Sequence, residues 1–412
     1  VPGTIELSER ALEALPPAKL GERAVVYFVL GGARLLDGDF SAAADTFGRA
    51  ASAGQRSGNL HLALPALNAA AEIQVSQGKL RQARTTAQEA VRLVTGADGQ
   101  LLPIAAGAVS ALAELAYEWN RLKEALAHAR QSVELGRLWG NADSLGSAYL
   151  TLVDVLVGMG RLREARDALR EARRLGQQAT LFPSFFAELR ATEARLSLVE
   201  GDLAAARVQA AELARATLDV AQLQESLTLA RVSLALGRPD TALETLSEAL
   251  DLARPQALVL WIVRGLALEA LIHYTAGRET RALRALAEAL MLAKPEGYVR
   301  SFVDLGPTMA GALKEAAAQG IAPDYVGELL PAFSLTDAGG ATRQAQPLIE
   351  PLSARELEVL SLVAEGLSNK EVASRLYIAE STVKSHLNSV YGKLGVTNRT
   401  QATAKARALH LL

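Results

Sequence analysis

The segment from Ser381 to Leu394 carries polar and cationic side chains at a spacing that suits contacts with DNA. Its apolar residues follow the i, i+4, i+7, i+11 spacing of one helix face, namely Val383, Leu387, Val390 and Leu394. The opposite face carries Thr382, Lys384, Ser385, Asn388 and Lys393. Such side chains hydrogen-bond base edges and phosphates when a helix lies in the major groove. The pattern therefore predicts a helix that packs on one side and presents these groups to DNA on the other.

Two further helices are predicted just before this one. Ser353 with Glu356, and Ser368 with Glu371, have the spacing of capping boxes, and each box precedes an apolar run. Charge favours the DNA interpretation: from residue 348 onward there are eight Lys and Arg against six Asp and Glu, and from residue 380 onward five against one. The alternative is a solvated polar face on an ordinary three-helix unit.

These residues resemble a known family over about sixty positions without a gap. The runs 352–360, 365–373 and 382–384, followed by His386, look like the LuxR-type helix-turn-helix of bacterial transcription regulators. That resemblance implies base-facing positions at Lys384, Ser385 and Asn388. It implies phosphate-facing positions at Asn369, Lys370, Thr382 and Lys393. Ala379 departs from the pattern, because the family usually has a capping Ser or Thr there.

A repeat dominates the rest of the chain. The pattern Gly-x-Leu-x-x-Ala, in full or degraded form, begins at Gly38, Gly78, Asn120, Gly160, Gly201, Gly237 and Gly277. Small residues recur seven positions before nearly all of these turn residues and seven after most of the repeat alanines, which is two helical turns and therefore one face. A period of about 40 residues predicts helical hairpins stacked into a solenoid.

The repeats resemble the tetratricopeptide class with units longer than usual. Together with residues 290–304 and the terminal helices, they resemble the C-terminal half of MalT-like, large ATP-binding LuxR regulators. In that family an ATP-binding domain comes first, and inducer binding to the solenoid controls self-assembly and promoter binding. Residues 4–12 look like the second helix of a repeat, so we expect a fragment without the ATP-binding domain, the alternative being a lone capping helix. No phosphate loop is present, and no cofactor is expected in this chain.

Catalysis has little support in the sequence. The chain has no cysteine, its five histidines are scattered, and no nucleophile elbow or metal-binding His pair occurs. We therefore expect a protein that is not an enzyme. No apolar stretch is long enough to span a membrane, and the absence of cysteine suits the reducing cytoplasm.

The sequence thus predicts an all-α protein of about seven hairpins followed by a four-helix DNA-binding domain. The expected parts are a solenoid at 1–293, its capping segment at 294–333, a flexible linker at 334–351 and the helix-turn-helix domain at 352–412. The expected function is sequence-specific transcription regulation, with the solenoid sensing an effector or directing assembly. Expected partners are double-stranded DNA, a second copy of the chain on DNA, a small-molecule or protein effector and, by the resemblance, RNA polymerase. The alternative is a protein-binding scaffold whose terminal helices mainly dimerise.

Overall fold

The fold is all-α, as the sequence predicts. The computed structural model describes residues 1–213, 223–337, 354–364, 366–376, 379–394, 396 and 398–408. Within these ranges there is no β-strand beyond an isolated bridge between Thr95 and Leu101. The chain divides into two units, Val1–Gly339 and Gly340–Leu412, which we call the solenoid unit and the head. None of the described helices is both long and apolar enough to cross a lipid bilayer.

The solenoid unit begins with one lone helix, continues with seven hairpins and ends with three further helices. Its helices are α1 Pro2–Ala14, α2 Leu20–Leu36, α3 Phe40–Arg56, α4 Leu60–Ser76, α5 Leu80–Leu93, α6 Ala106–Glu118, α7 Leu122–Trp139, α8 Ala142–Gly158, α9 Leu162–Gln178, α10 Pro183–Glu200, α11 Leu203–Leu213, α12 Leu223–Ala235, α13 Pro239–Ala253, α14 Val259–Thr275, α15 Glu279–Ala293, α16 Arg300–Val303, α17 Pro307–Ala318 and α18 Pro323–Asp337. The predicted linker begins at residue 334, whereas α18 continues to Asp337; residues 338–351 lie outside the described residues.

The hairpins form because the first helix of each repeat ends at a residue with left-handed backbone conformation. Small side chains also fill the contacts between the two helices of a pair. All seven turn residues have positive φ, including the non-glycine Asn120 at 56°. This conformation ends a helix and reverses the chain, and Asn tolerates it better than most residues other than Gly. The alanines of the repeat, from Ala43 to Ala282, are at most 2% exposed. Burial of these small side chains lets paired helices approach closely.

The seventh hairpin comes back to the second and third, because residues 296–305 cross between the two ends of the array. We call this stretch the return segment. The Val299 N–H donates to the Glu118 carbonyl at 3.0 Å, and the Trp119 indole N–H donates to the Glu296 carbonyl at 2.9 Å. Trp119 therefore packs within the solenoid unit and anchors the return segment. About 180 residues separate the two sides, so the array is closed on itself.

A buried carboxylate ties this closure together. Glu118 is 4% exposed, and its side chain accepts the Ser301 N–H at 2.9 Å and a guanidinium N–H of Arg264 at 3.1 Å. Nearby, the Tyr117 hydroxyl donates to Asp304 at 2.9 Å, and Asp304 also pairs with the almost fully buried Arg300. A charge buried at this depth needs such partners, since leaving it unpaired costs several kcal/mol, roughly 3–5.

The described residues of the head form four short helices. They are α19 Ala354–Ala364, α20 Asn369–Leu376, α21 Glu380–Leu394 and α22 Arg399–Ala408. Val359, Leu360, Val372, Val383 and Val390 are fully buried and form the contacts among them. The second predicted capping box is present, because Glu371 accepts the backbone N–H and the hydroxyl of Ser368 at 2.7 Å. For the first box, Ser353 lies outside the described residues.

Candidate nucleic-acid interface and the inner face of the solenoid

Helix α21 presents the polar face that the sequence predicts. Val383 and Leu387 are buried against the other helices, whereas Thr382, Lys384 and Asn388 are exposed. The Lys384 ammonium lies 3.3 Å from Glu380 on the same helix, with both side chains largely in solvent. Such an exposed pair is weak, so a phosphate or base can replace it at little cost, about 0–1 kcal/mol. The side chain of Ser385 lies outside the described residues.

The start of α20 brings two further predicted residues to the surface. Lys370 is exposed, and Asn369, the first residue of the helix, is half-buried. Both lie at a helix N-terminus, where backbone N–H groups and the helix dipole favour an anion such as phosphate. The exposed cations of α20 and α21 therefore lie on the two helices for which the sequence predicts contacts with DNA.

Lys393 differs from the other predicted contacts. Its ammonium donates to Glu356 at 2.9 Å, and its side chain is only 19% exposed. Glu356 itself is 5% exposed and also accepts the Ser389 hydroxyl. Glu356 thus links α19 to two residues of α21. A buried carboxylate holds its cation strongly, so the Lys393 ammonium is paired within the head. That Lys393 contacts phosphate stays a prediction.

Two arginines of the head also act within it. The Arg399 guanidinium donates to the carbonyls of Val363 and Leu367 at 2.7 and 2.8 Å, and Arg355 donates to the Leu376 carbonyl at 2.9 Å. These carbonyls lie at or just beyond the ends of α19 and α20, where they lack intrahelical donors. Arg355, Lys393 and Arg399 thus bind groups within the head, whereas Lys370 and Lys384 are exposed.

The solenoid unit holds a second array of functional groups, on the inner face of the superhelix. It occupies the position six residues before each turn residue, on the first helix of each hairpin. We call these residues the inner ladder: Gly32, Glu72, Glu114, Asp154, Arg195, Arg231 and Leu271. Five consecutive hairpins thus contribute a charged side chain at an equivalent place, acidic in the first three and basic in the next two.

The acidic residues at the start of the inner ladder face solvent but have many protein atoms around them. The side chains of Glu72 and Glu114 are exposed, and desolvation by the surrounding helices nevertheless raises the pKa of both, that of Glu72 to about 7. Glu188 lies two turns before Arg195 on α10. Burial, followed by the nearby carboxylates of Glu114 and Asp154, raises its pKa to about 8. Carboxylates that resist ionisation inside a protein mark places where a ligand can change the electrostatics.

One ion pair directly joins two residues of the inner ladder. Arg195 donates to both carboxylate oxygens of Asp154, at 2.8 and 2.9 Å. Its second terminal nitrogen, Nη1, is buried and has no hydrogen-bond partner among the described residues. Arg231 donates to the Asp304 carbonyl of the return segment at 2.7 Å. Within the described chain no cation lies within ion-pair distance of Glu72, Glu114 or Glu188.

The small residues seven positions before each turn residue dominate the repeat pattern, and they hide this array in the sequence. The charges lie at the neighbouring position. Reading the same repeat alignment one residue later gives Glu, Glu, Asp, Arg and Arg in consecutive repeats. Only the superhelix shows that this position faces inward.

Comparison with known proteins assigns both units. A family described as "MalT-like TPR region" matches residues 1–319 of the chain. The family described as "Bacterial regulatory proteins, luxR family" matches residues 350–406. These two matches divide the chain between the same two kinds of domain that its repeats and terminal helices indicate.

Solved structures resemble the chain at low sequence identity. The Rap conjugation gene regulator of the plasmid pLS20, solved in complex with the Phr* peptide, is 11% identical, with 83% of this chain and 99% of that chain covered and a TM-score of 0.52. A Rap protein complexed with competence and sporulation factor is 14% identical, with 80% of each chain covered and a TM-score of 0.40. A tetratricopeptide repeat protein from Parabacteroides merdae ATCC 43184 is also 14% identical, with 76% and 100% covered and a TM-score of 0.38. The likeness to the Rap conjugation gene regulator is a likeness of fold.

Proposed function

Because the chain belongs to the family with a MalT-like TPR region and ends in a luxR-family DNA-binding domain, we propose that it is a sequence-specific transcription regulator whose solenoid unit senses an effector. The observation that carries the proposal is the exposed polar face of α21 above a packed apolar face. Asn388 and Lys384 are its base-reading residues, together with Ser385. Asn369, Lys370 and Thr382 bind phosphate, and Lys393 holds α21 in place through Glu356.

Selection of DNA tests this proposal. The full chain is incubated with a pool of random duplexes, and bound DNA is sequenced over several rounds. We expect one motif to be enriched. Asn388→Ala should relax the preference at particular base pairs by about 1–3 kcal/mol, whereas Lys370→Ala should weaken all sequences about equally. Absence of an enriched motif would favour the alternative, a scaffold whose terminal helices dimerise.

Self-association on DNA belongs to the same proposal. One small head reads a half-site, and dimeric regulators place two heads on half-sites about one helical turn apart. Joining two heads raises their effective concentration, so paired half-sites should be preferred by an assembled species. Titration of the chain against DNA with one or two half-sites, with its mass measured at each step, tests this. A strong preference for paired sites by a strictly monomeric chain would contradict it.

The solenoid unit supplies the regulatory input in this proposal. The fold resembles a Rap regulator that was solved with a peptide bound, which supports a ligand-binding role for an array of this shape. Binding of an effector would bias self-association in the cytoplasm, and the assembled heads would then act on RNA polymerase at a promoter. This chain needs no cofactor for that role. Addition of ATP and magnesium should leave its melting temperature unchanged, and an upward shift at millimolar ATP would contradict this expectation.

A further inference from the structure

The inner ladder separates its charges along the superhelix. Glu72, Glu114 and Asp154 come from the second, third and fourth hairpins, and Arg195 and Arg231 come from the fifth and sixth. Uncharged residues, Gly32 and Leu271, end the ladder in the first and last hairpins. A ligand inside the array therefore meets an acidic stretch followed by a basic one.

The acidic stretch has carboxylates that can pair with a cationic ligand. Asp154 is paired with Arg195, but Glu72 and Glu114 have no ion-pair partner among the described residues. The Thr151 hydroxyl donates to Glu114 at 3.0 Å, which orients that carboxylate without neutralising it. An ammonium or guanidinium group placed between these two carboxylates would favour their ionised forms.

The basic stretch has an unused donor. Arg195 is 14% exposed at its side chain; one terminal nitrogen binds Asp154 and Thr192, while the buried Nη1 has no hydrogen-bond partner among the described residues. A buried donor of this kind is costly unless a partner arrives. Arg231 lies on the next hairpin and is fixed by one nitrogen on the return segment. A carboxylate is the partner that guanidinium groups bind best.

The distance between the two stretches sets the size of the ligand. Packed neighbouring helices lie about 8–10 Å apart, so the step from the Glu114 rung to the Arg195 rung, two hairpins later, is roughly 16–20 Å. An extended peptide covers about 3.3–3.6 Å per residue, and five or six residues therefore span it. A single amino acid is too short to reach both stretches.

Resting on the sensor role proposed above, we propose that the inner ladder binds a short extended peptide of about five residues. Its amino-terminal end carries cationic groups that lie at Glu72 and Glu114. Its carboxylate lies at Arg195 and Arg231. The return segment, which crosses beside Arg231, limits the length of the peptide at that end. The effector class is thus a free, basic peptide, and neither a neutral sugar nor an acidic metabolite fits the charges.

Affinity selection from synthetic peptides tests this inference. The full chain is incubated with a library of randomised pentapeptides with free termini, and bound peptides are identified by mass spectrometry. We expect at least tenfold enrichment of peptides with Lys or Arg in the first two positions, and loss of this enrichment when the library is amidated at its carboxyl end. No enrichment, or enrichment of neutral or acidic peptides, would overturn the inference.

Matched variants locate the site. Glu114→Gln should weaken the selected peptide by about tenfold or more, while Glu124→Gln, an exposed acid on the outer helix α7, should stay within twofold. Equal losses in both variants would mean general charge attraction and would also overturn the inference. Circular dichroism checks that both variants fold, and replacing Glu72 by Gln provides a second inner variant with the same expected loss.

The outcome is separable from that of the regulator proposal. Selection of DNA by the full chain uses the head and should proceed in the Glu114→Gln variant as in the parent. If DNA selection fails while peptides are enriched, the regulator proposal is wrong and the ladder inference stands. If DNA selection succeeds and no peptide is enriched, the ladder inference is wrong and the regulator proposal stands.

Discussion

Glu118→Ala should open the return segment without unfolding the array. The substitution removes the acceptor of the Ser301 N–H and the ionic partner of Arg264, which lie 2.9 and 3.1 Å from a buried carboxylate. Breaking a buried pair from one side costs roughly 3–5 kcal/mol. Arg264 is 30% exposed and recovers some hydration, so we expect the lower end, about 3 kcal/mol. The Val299 bond to the Glu118 carbonyl survives, because it uses the backbone.

Amide hydrogen exchange measures this effect locally. A loss of about 3 kcal/mol raises the open population of the return segment roughly a hundredfold, since about 1.4 kcal/mol corresponds to a factor of ten. Peptides covering residues 296–305 should therefore exchange about a hundred times faster, while peptides from α8 and α9 should change little. Glu134→Ala, at an exposed site on α7, is the control and should leave both regions unchanged.

Two results would refute the reasoning. Protection of residues 296–305 that falls by less than threefold would show that Glu118 contributes little to the closure. Uniform loss of protection throughout the solenoid unit would show that closure and array are one cooperative unit with no separate opening. If Glu118→Ala does not fold, Glu118→Gln keeps one acceptor oxygen and should show a smaller, still local increase, on the order of tenfold.

Three further predictions concern charge, packing and the head. The pKa of Glu188 is raised from 4.5 to about 8, so ionising this carboxyl in the folded chain costs nothing below about pH 4.5 and costs more as pH rises toward 8. Glu188→Gln should therefore gain stability over the parent in urea titrations across this range, by at most about 5 kcal/mol. A stability difference that does not change with pH would contradict the burial argument. A methyl group at Gly158 would lie 2.5 Å from the Tyr117 ring, so Gly158→Ala should destabilise the solenoid unit by about 1–3 kcal/mol and lower its thermal midpoint. Gly32→Ala, where the methyl group meets open space, should leave the midpoint unchanged. Equal midpoints for the two variants would disprove the close contact. Lys393→Ala should destabilise the head by about 3 kcal/mol, measured by hydrogen exchange of the α19 and α21 amides. Lys384→Ala should leave the stability of the head unchanged. A larger loss of stability in Lys384→Ala than in Lys393→Ala would favour a phosphate contact for Lys393.

The sequence predicts the repeat well, because the requirement that shapes it is local. A left-handed turn residue and small residues seven positions from it recur in each hairpin, and each can be read from one unit alone. The polar face of α21 is predictable for the same reason, since Thr382 and Asn388 are separated from Val383 and Leu387 by helix geometry.

The missed features depend on contacts between distant residues. Glu118 and Ser301 meet only because the superhelix returns after four hairpins, and no local pattern encodes that pitch. Lys393 looks like a free cation in sequence because its partner Glu356 has the spacing of a capping residue on another helix. The inner ladder changes sign along the array, so it does not show as a repeated residue type.

The closure by residues 296–305 also bears on how such a chain can change over evolutionary time. Open arrays lengthen or shorten by duplication or loss of a unit, since each unit contacts only its neighbours. Here Glu118 must meet Ser301 and Val299 one superhelical turn away, and Trp119 must reach the Glu296 carbonyl. Insertion or deletion of one hairpin between them would rotate and shift one side past the other. Between the third and seventh hairpins the number of repeats is therefore fixed, and variation is confined to loop lengths and side chains.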